Sequence, residues 1–287
     1  MIPELLVCGN IARDLIFGNE RYGGSAPAIA VNAARLGVST GLLSVIGKDI
    51  FSEQYREYLI QNGISMELVE SNLDKLPEFI VSSPSLGIGV EWIDNGSHQA
   101  METMRVDIRA ACKYSVVHLV SCPPGLASRL AETGIFNLSY EPGPYIHDNS
   151  AYLDFAVVDK SRMIFFNEEE YQSAVEISGL KHPRDFVAGS NRILIITRGE
   201  RGSDVYLDTT DGFKKEHVDA IKTEIPVVDV TGAGDCYKAG FLAGYIRGRS
   251  LRDCAIIGSY MGAACLTQEG GILPENKIAE IRVIGQI

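Results

Sequence analysis

The sequence predicts an α/β protein whose mostly parallel central sheet is covered by helices on both faces, with a small second sheet standing off it. Three observations predict this. Short apolar runs of strand character alternate with segments of helical periodicity along most of the 287 residues. Capping and breaking residues fall where one pattern gives way to the other. Two stretches, at about 14–22 and 78–94, are extended with no helix beside them, and are expected to pair as a small lid. Pro84 and Gly87-Ile88-Gly89 fall inside the second.

Residues 4–9 form a short strand built on Leu5, Leu6 and Val7. Ser25 is the expected N-cap of a helix over 26–36, with Pro27 in its first turn and Gly37 closing it. A strand at 40–46 and a helix at 51–61 follow, the helix stopped by Asn62-Gly63. Further strands are expected at 115–120, 135–140, 163–166 and 193–197, with helices at 125–132, 150–159 and 168–177 between them. A β-prone segment at 225–228 precedes a helix over 236–248. No linker, repeat or low-complexity tract divides the chain.

Composition narrows the class. Apolar residues make up 46% and charged residues 22%, as in ordinary soluble domains. A formal net charge of −11 without any Lys/Arg-rich run excludes a nucleic-acid partner. Residues 1–5 lack the basic region of a secretory leader, and the longest apolar stretch, 254–266, is too short to span a bilayer. The six cysteines show no Cys-x-x-Cys spacing, which implies reduced thiols and a cytoplasmic compartment. Cys236 stands apart: at a helix N-terminus its thiol pKa could be lowered, although a buried inert thiol is the plainer reading.

The most informative segment is Asp229-Val230-Thr231-Gly232-Ala233-Gly234-Asp235. Its glycines let backbone N–H groups converge at a helix N-terminus, which suits an anion. A carboxylate beside a bound phosphate makes a poor ligand and a useful base, able to take a proton from an attacking hydroxyl. The plainer alternative makes Asp235 a first-turn residue favoured by the helix dipole. In open α/β sheets, ligands bind beyond the carboxyl ends of the strands, where Asp14, Asn167, Gly199 and Gly232 are expected.

Together these residues resemble the ribokinase-like (PfkB) family of carbohydrate and nucleoside kinases. The Asp-x-Thr-Gly-Ala-Gly-Asp motif is present in full and continues into Ala239-Gly240. Gly23-Gly24 followed by Ala33-Ala34-Arg35-Leu36-Gly37 is similar to the family's N-terminal half-motif. Asn167-Glu168-Glu169-Glu170 resembles its Asn-x-x-Glu, and Thr197-Arg198-Gly199-Glu200-Arg201-Gly202 its nucleotide-contacting turn. The resemblance implies a ribokinase-like three-layer αβα sandwich, one domain over 1–287, with a reduced β lid.

It also implies ATP-dependent phosphorylation of an alcohol on a small polyhydroxy acceptor: a sugar, a polyol such as inositol, or a nucleoside. Asp235 would be the base, and Gly232, Ala233 and Gly234 the anion hole. Asp14, Gly23, Gly24 and Asn32 would meet the acceptor. Thr197, Gly199, Gly202, Asn167 and Gly270 would meet the nucleotide, with the loops at 268–271 and 223–228 flanking adenine. Asn167 and Glu170 would hold Mg²⁺ largely through water, and Asp229 and Thr231 match a K⁺ site of some members. No nucleic-acid or membrane partner is implied, and the chain would be a monomer or homodimer.

Plainer readings stand beside these. Asn167 and Glu170 could form a capping box, Gly199 and Gly202 a simple turn, and Asp14 a strand cap. Two departures concern the acceptor end, where Ala28 and Ala12 replace family asparagines that discriminate a ribose-like ring. Asn32, one turn after Ala28, is a candidate substitute or merely a polar helix residue. Arg13 beside Asp14 leans toward inositol-kinase-like members. A non-catalytic nucleotide or sugar sensor is the competing class. A dinucleotide oxidoreductase is excluded because Tyr237 stands where a third glycine is needed, and no Walker-type loop occurs.

Overall fold

The principal sheet owes its position to strands whose side chains are apolar on both faces, the pattern of a sheet buried from two sides. It is seen in a computed structural model that describes residues 3–82, 89–223 and 225–285. In chain order the first elements are β1 (Leu5–Cys8), β2 (Ala12–Ile16), β3 (Asn19–Gly23), α1 (Ser25–Arg35), β4 (Thr40–Ile46), α2 (Ile50–Gln61) and β5 (Ser65–Ser71). There follow β6 (Glu78–Ser82), β7 (Gly89–Ile93), α3 (Ser97–Glu102), β8 (Val116–Val120), α4 (Pro124–Glu132), β9 (Leu138–Glu141) and α5 (Phe155–Lys160). Next come β10 (Met163–Asn167), α6 (Glu168–Ser178), α7 (Pro183–Val187), β11 (Ile193–Thr197), β12 (Ser203–Thr209) and β13 (Gly212–Val218). Three helices end the chain: α8 (Ala233–Ile246), α9 (Leu251–Cys265) and α10 (Glu275–Gly285).

Among the described residues the sheet runs β13-β12-β11-β10-β9-β8-β1-β4-β5. All neighbours from β11 to β5 are parallel, and the pairings of β12 with β11 and with β13 are antiparallel. Alternate residues of each strand enter different cores. Leu5 and Val7 pack with α1, α8 and α9 on one face, while Leu6 and Cys8 pack with α4 and α5 on the other. The three-layer sandwich follows. A second sheet, β3-β2-β6-β7, stands where the lid was expected. The Pro84 and Gly87-Ile88 part of that expectation lies outside the described residues.

Helices α8 and α9 pack most closely, because glycines face each other's backbone. A Cβ on Gly258 would lie 2.8 Å from the Tyr237 carbonyl oxygen, and one on Gly240 would lie 2.9 Å from that of Ile257. Fully buried Phe241 and Leu242 on α8 each contribute about 1.5–3 kcal/mol of burial. This rigid pair fixes the N-terminus of α8. Among the described residues no helix is long and apolar enough to cross a membrane.

Several expectations need correcting. The segment 225–228 is irregular, not a strand: Ile225, Val227 and Val228 are 50–60% exposed and pair with no strand. β-propensity needs a neighbouring strand, and the open edge at β13 is not reached by this segment. Gly24, with φ 91°, is the N-cap of α1, so Ser25 is its first residue and makes no cap bond. The helix expected at 150–159 is broken, because the Asp154 carboxylate accepts from the Ala156 amide and starts α5 afresh. The strand expected at 135–140 begins at Leu138, after the Gly134 turn that leaves Phe136 exposed.

Gly258→Ala is expected to lower stability by about 1–3 kcal/mol through overpacking, despite a helix-propensity gain of up to about 1 kcal/mol. Urea unfolding of the purified protein measures this, and an unchanged or raised midpoint contradicts the packing argument.

Candidate active site

The N-terminus of α8 is held open by one backbone approach. Gly232, the N-cap, has φ 78°, and a Cβ there would lie 2.4 Å from Gly271 Cα. Only glycine satisfies both demands. Asp229 fastens the same turn, its Oδ1 accepting from the Thr231 amide and its Oδ2 from the Gly270 amide, each at 2.9 Å. Asn32 completes the joint: its Nδ2 donates to the Gly271 carbonyl at 2.8 Å, and its Oδ1 accepts from the Leu273 amide at 3.0 Å. Asn32 is fully buried and not part of the cleft wall, so it is a strut between α1 and this loop and not an acceptor ligand.

On one side of the α8 N-terminus lies a cleft of about 820 Å³, between the two sheets. Asp14, Gly23, Gly24, Gly232 and Asp235 all line it. The alternation of β2 turns Asp14 inward with Ala12 and Ile16. A Cβ on Gly23 would lie 1.9 Å from Asp14 Oδ1, so glycine there leaves room for the carboxylate. Burial, reinforced by Asp235, pushes the Asp14 carboxyl up to about 7, with the Gly24 amide opposing. Its Oδ1 is buried without a partner among the described residues. The rest of the wall is largely apolar, with Phe17, Phe79, Trp92, Tyr145 and Ile272 facing the space. Arg13 points to the other face of β2, pairing with Glu20 and Glu78 and stacking on Phe51, which leaves it no part in the cleft.

On the other side lies a pocket of about 60 Å³ lined by Asn167, Thr197, Gly234, Glu141 and Lys238. Thr197 ends β11 and Asn167 ends β10, both at the carboxyl edge. Asn167 and Glu170 do form the capping box: Asn167 Oδ1 accepts from the Glu170 amide at 2.8 Å, and Glu170 Oε2 accepts from the Asn167 amide at 2.9 Å. That leaves the Asn167 amide nitrogen and Glu170 Oε1 outside the box. Burial raises the Glu170 carboxyl, and Lys238 opposes it. No group of three His, Cys, Asp or Glu residues able to hold a metal occurs among the described residues. A divalent ion here would draw most of its oxygens from phosphate and water, which matches the two free polar atoms.

Gly199 and Gly202 form the tight turn after β11, where the Arg198 amide donates to the Gly202 carbonyl, and neither lines a pocket. Gly270 likewise serves the Asp229 joint, while its neighbour Gly271 reaches the cleft. The Ala233 amide already donates to the Val230 carbonyl at 3.3 Å. Cys236 is buried and donates to the Gly271 carbonyl, and burial holds its thiol well above the usual range, so it is not activated.

Sequence reasoning missed three groups. Asn10 lines the cleft, its Nδ2 held 3.2 Å from His98 Nε2 while its Oδ1 is buried without a partner. Its signal was a polar residue directly beyond β1. Glu141, the last residue of the buried strand β9, and Lys238, the lone charge among nine buried residues of α8, meet at 2.6 and 2.7 Å. A charge inside an apolar run was visible for Lys238, and Glu141 closes a short strand before Pro142-Gly143.

The comparisons agree with one another. The model of the pfkB family carbohydrate kinases matches residues 18–79 and 151–278. The chain is 31% identical to a cytidine kinase of Thermococcus kodakarensis, covering 89% of this chain and 93% of that protein. It is 27% identical to a nucleoside kinase of Methanocaldococcus jannaschii over 93% of this chain and 92% of that one. Among solved structures, the nucleoside kinase of M. jannaschii superposes with a TM-score of 0.84 at 24% identity, covering 98% of both chains. That of Burkholderia thailandensis in complex with inosine gives 0.82 at 21% identity, covering 98% of this chain and 96% of that one.

Two outcomes follow from the geometry. Asp14 in the folded chain titrates near 7 against 3.8 for an unperturbed carboxyl, so the folded state holds the proton more tightly. Stability therefore falls as pH rises from about 4 to about 7. Asp14→Asn should gain about 2–4 kcal/mol over the parent at pH ~8 and little at pH ~4, read from thermal melts of ligand-free protein. Asn32→Ala should cost about 1–3 kcal/mol by leaving Gly271 and Leu273 backbone groups unpaired. A melt unchanged by that substitution removes the strut.

Proposed function

Because the chain belongs to the pfkB family of carbohydrate kinases, we propose that it transfers the γ-phosphoryl group of ATP to a hydroxyl of a nucleoside. Phosphoryl transfer to an alcohol is the family's reaction, and relatives are named nucleoside, cytidine and sugar kinases. One observation carries the choice of acceptor. Asp14 and Asp235 share a cleft whose remaining wall is largely apolar, with Phe79 and Trp92 from the small sheet and Tyr145 and Ile272 from the main body. A carboxylate suits sugar hydroxyls, and flat apolar walls suit a heterocyclic base. The lean toward inositol drawn from Arg13 loses its support, since Arg13 faces away from the cleft.

In this reading the chain is one kinase domain over 1–287, with β2, β3, β6 and β7 as its lid. Asp14, with the backbone at Gly23 and Gly24, orients the acceptor. Asp235 takes the proton from the attacking hydroxyl as the oxygen–phosphorus bond forms. The amides of Gly232 and Gly234 face the transferred group at the positive end of the α8 dipole, and the Ala233 amide would join them only by giving up its bond to the Val230 carbonyl. Asn167 and Thr197 border the polyphosphate, while Gly199, Gly202 and Gly270 shape the turns around it.

Asn167 and Glu170 would hold Mg²⁺, which would offset the negative charge of the phosphates. The expected K⁺ site fits less well, because both oxygens of Asp229 already accept backbone amides and Thr231 sits in the same turn. No step depends on it. A monomeric or homodimeric cytoplasmic enzyme is consistent with the free thiols of all six cysteines. A purely binding role would leave the Asp235 carboxylate beside the transfer site without a task.

ADP release should be measured with Mg-ATP over inosine, cytidine and adenosine against ribose, fructose and myo-inositol, with and without K⁺. Nucleosides are expected to turn over fastest, and Asp235→Asn to lose about 10²–10⁴-fold in kcat. Faster turnover of inositol or a free sugar overturns the acceptor, and near-parental activity of the Asn variant overturns the base.

A further inference from the structure

Lys238 stands where its neighbours on α8 are apolar and fully or nearly fully buried. Its side chain is 9% exposed, and its ammonium touches three carboxylate oxygens: Asp235 Oδ1 at 2.9 Å and both oxygens of Glu141 at 2.6 and 2.7 Å. The i,i+3 spacing places Lys238 and Asp235 on one face of the helix. Glu141 reaches the same point from the carboxyl end of β9, and neutral His118, its Nε2 3.8 Å from Glu141, closes the cluster from β8. Burial works against the Lys238 charge, but Asp235 and Glu141 outweigh it and hold the ammonium above its ordinary range.

A buried ion pair is a poor way to stabilise a fold, since removing charges from water costs nearly what their attraction returns. Its location is more telling. Lys238 lines the small pocket beside Asn167, Thr197 and Gly234, while its partner Asp235 lines the large cleft. The ammonium thus forms part of the partition between the two spaces.

We propose that Lys238, anchored by Glu141, is a positioning residue for phosphoryl transfer: it fixes the Asp235 carboxylate in place and sets a cation in the wall of the phosphate pocket. The proposal rests on the kinase reading above. Held through Oδ1, Asp235 keeps Oδ2 free to accept the acceptor's proton. Without the ammonium, Glu141 would face a polyphosphate in the small pocket with no resident cation beside it.

The test compares Lys238→Met, Lys238→Gln and Lys238→Arg with the parent, each first checked for a cooperative melt. Lys238→Met and Lys238→Gln should lose about 10²-fold in kcat with inosine or cytidine while nucleoside KM moves less than about threefold. Lys238→Arg, which keeps the charge, should recover to within about tenfold. A second readout needs no acceptor and no metal: calorimetric binding of ADP in EDTA should weaken about tenfold in the Met and Gln variants and far less in Arg. If one neutral variant fails to fold, the other carries the comparison. Parental kcat and ADP affinity in a folded neutral variant overturn the proposal and leave the kinase reading intact. A parent that neither binds ADP nor turns over any nucleoside overturns both.

Discussion

The close approach of Gly232 to Gly271 is the constraint on which the rest of the site depends. Two stretches of backbone from distant parts of the chain meet there with no side chain between them. Asp229 ties one to Gly270, and Asn32 ties the other to α1. Each contact satisfies backbone groups that would otherwise be buried unpaired. Because α8 is locked onto α9 through facing glycines, the turn at its N-terminus has little freedom of its own. The N-terminal turn of α8 and Asp235 are therefore placed by packing, and the proposed transfer site would need no rearrangement on binding, which is the condition for electrostatic preorganisation.

The two sheets divide the work. The large sheet brings Asn167, Thr197 and Glu141 to its carboxyl edge, as parallel strands do. The small sheet supplies Asp14 and part of the apolar wall, including Phe79 and Trp92. An ion pair at 2.6 Å between Arg21 of β3 and Glu269 joins the small sheet to the loop that carries Gly270 and Gly271.

Much of this was legible in the sequence, and the reason is local. Strands β1, β4, β8, β10 and β11 are apolar-rich, and two extended stretches interrupt a regular alternation, so both sheets could be read. The edge hairpin of β12 and β13 was not, because its outer strand is half-exposed and charged, as Phe213-Lys214-Lys215-Glu216-His217 illustrates. The segment at 225–228 was misread for the opposite reason: its valines are strand-like, but their apolar surface is spent on a ligand cleft. Asn32 was placed in the cleft because helical spacing gives its neighbours and not the direction of a fold-distant loop. The pairing of Lys238 with Glu141 links positions 97 residues apart, a separation no local pattern reports.

The environment of Asp14 has a consequence for ligand binding. In the empty cleft its carboxyl holds a proton up to pH about 7, since burial and Asp235 penalise the charge. Hydroxyls that donate to it favour the ionised form. A polyhydroxy ligand that binds this way near neutral pH must expel a proton to the solvent. Its affinity then weakens as the solution is acidified, and its apparent binding enthalpy varies with the ionisation heat of the buffer that takes up the proton.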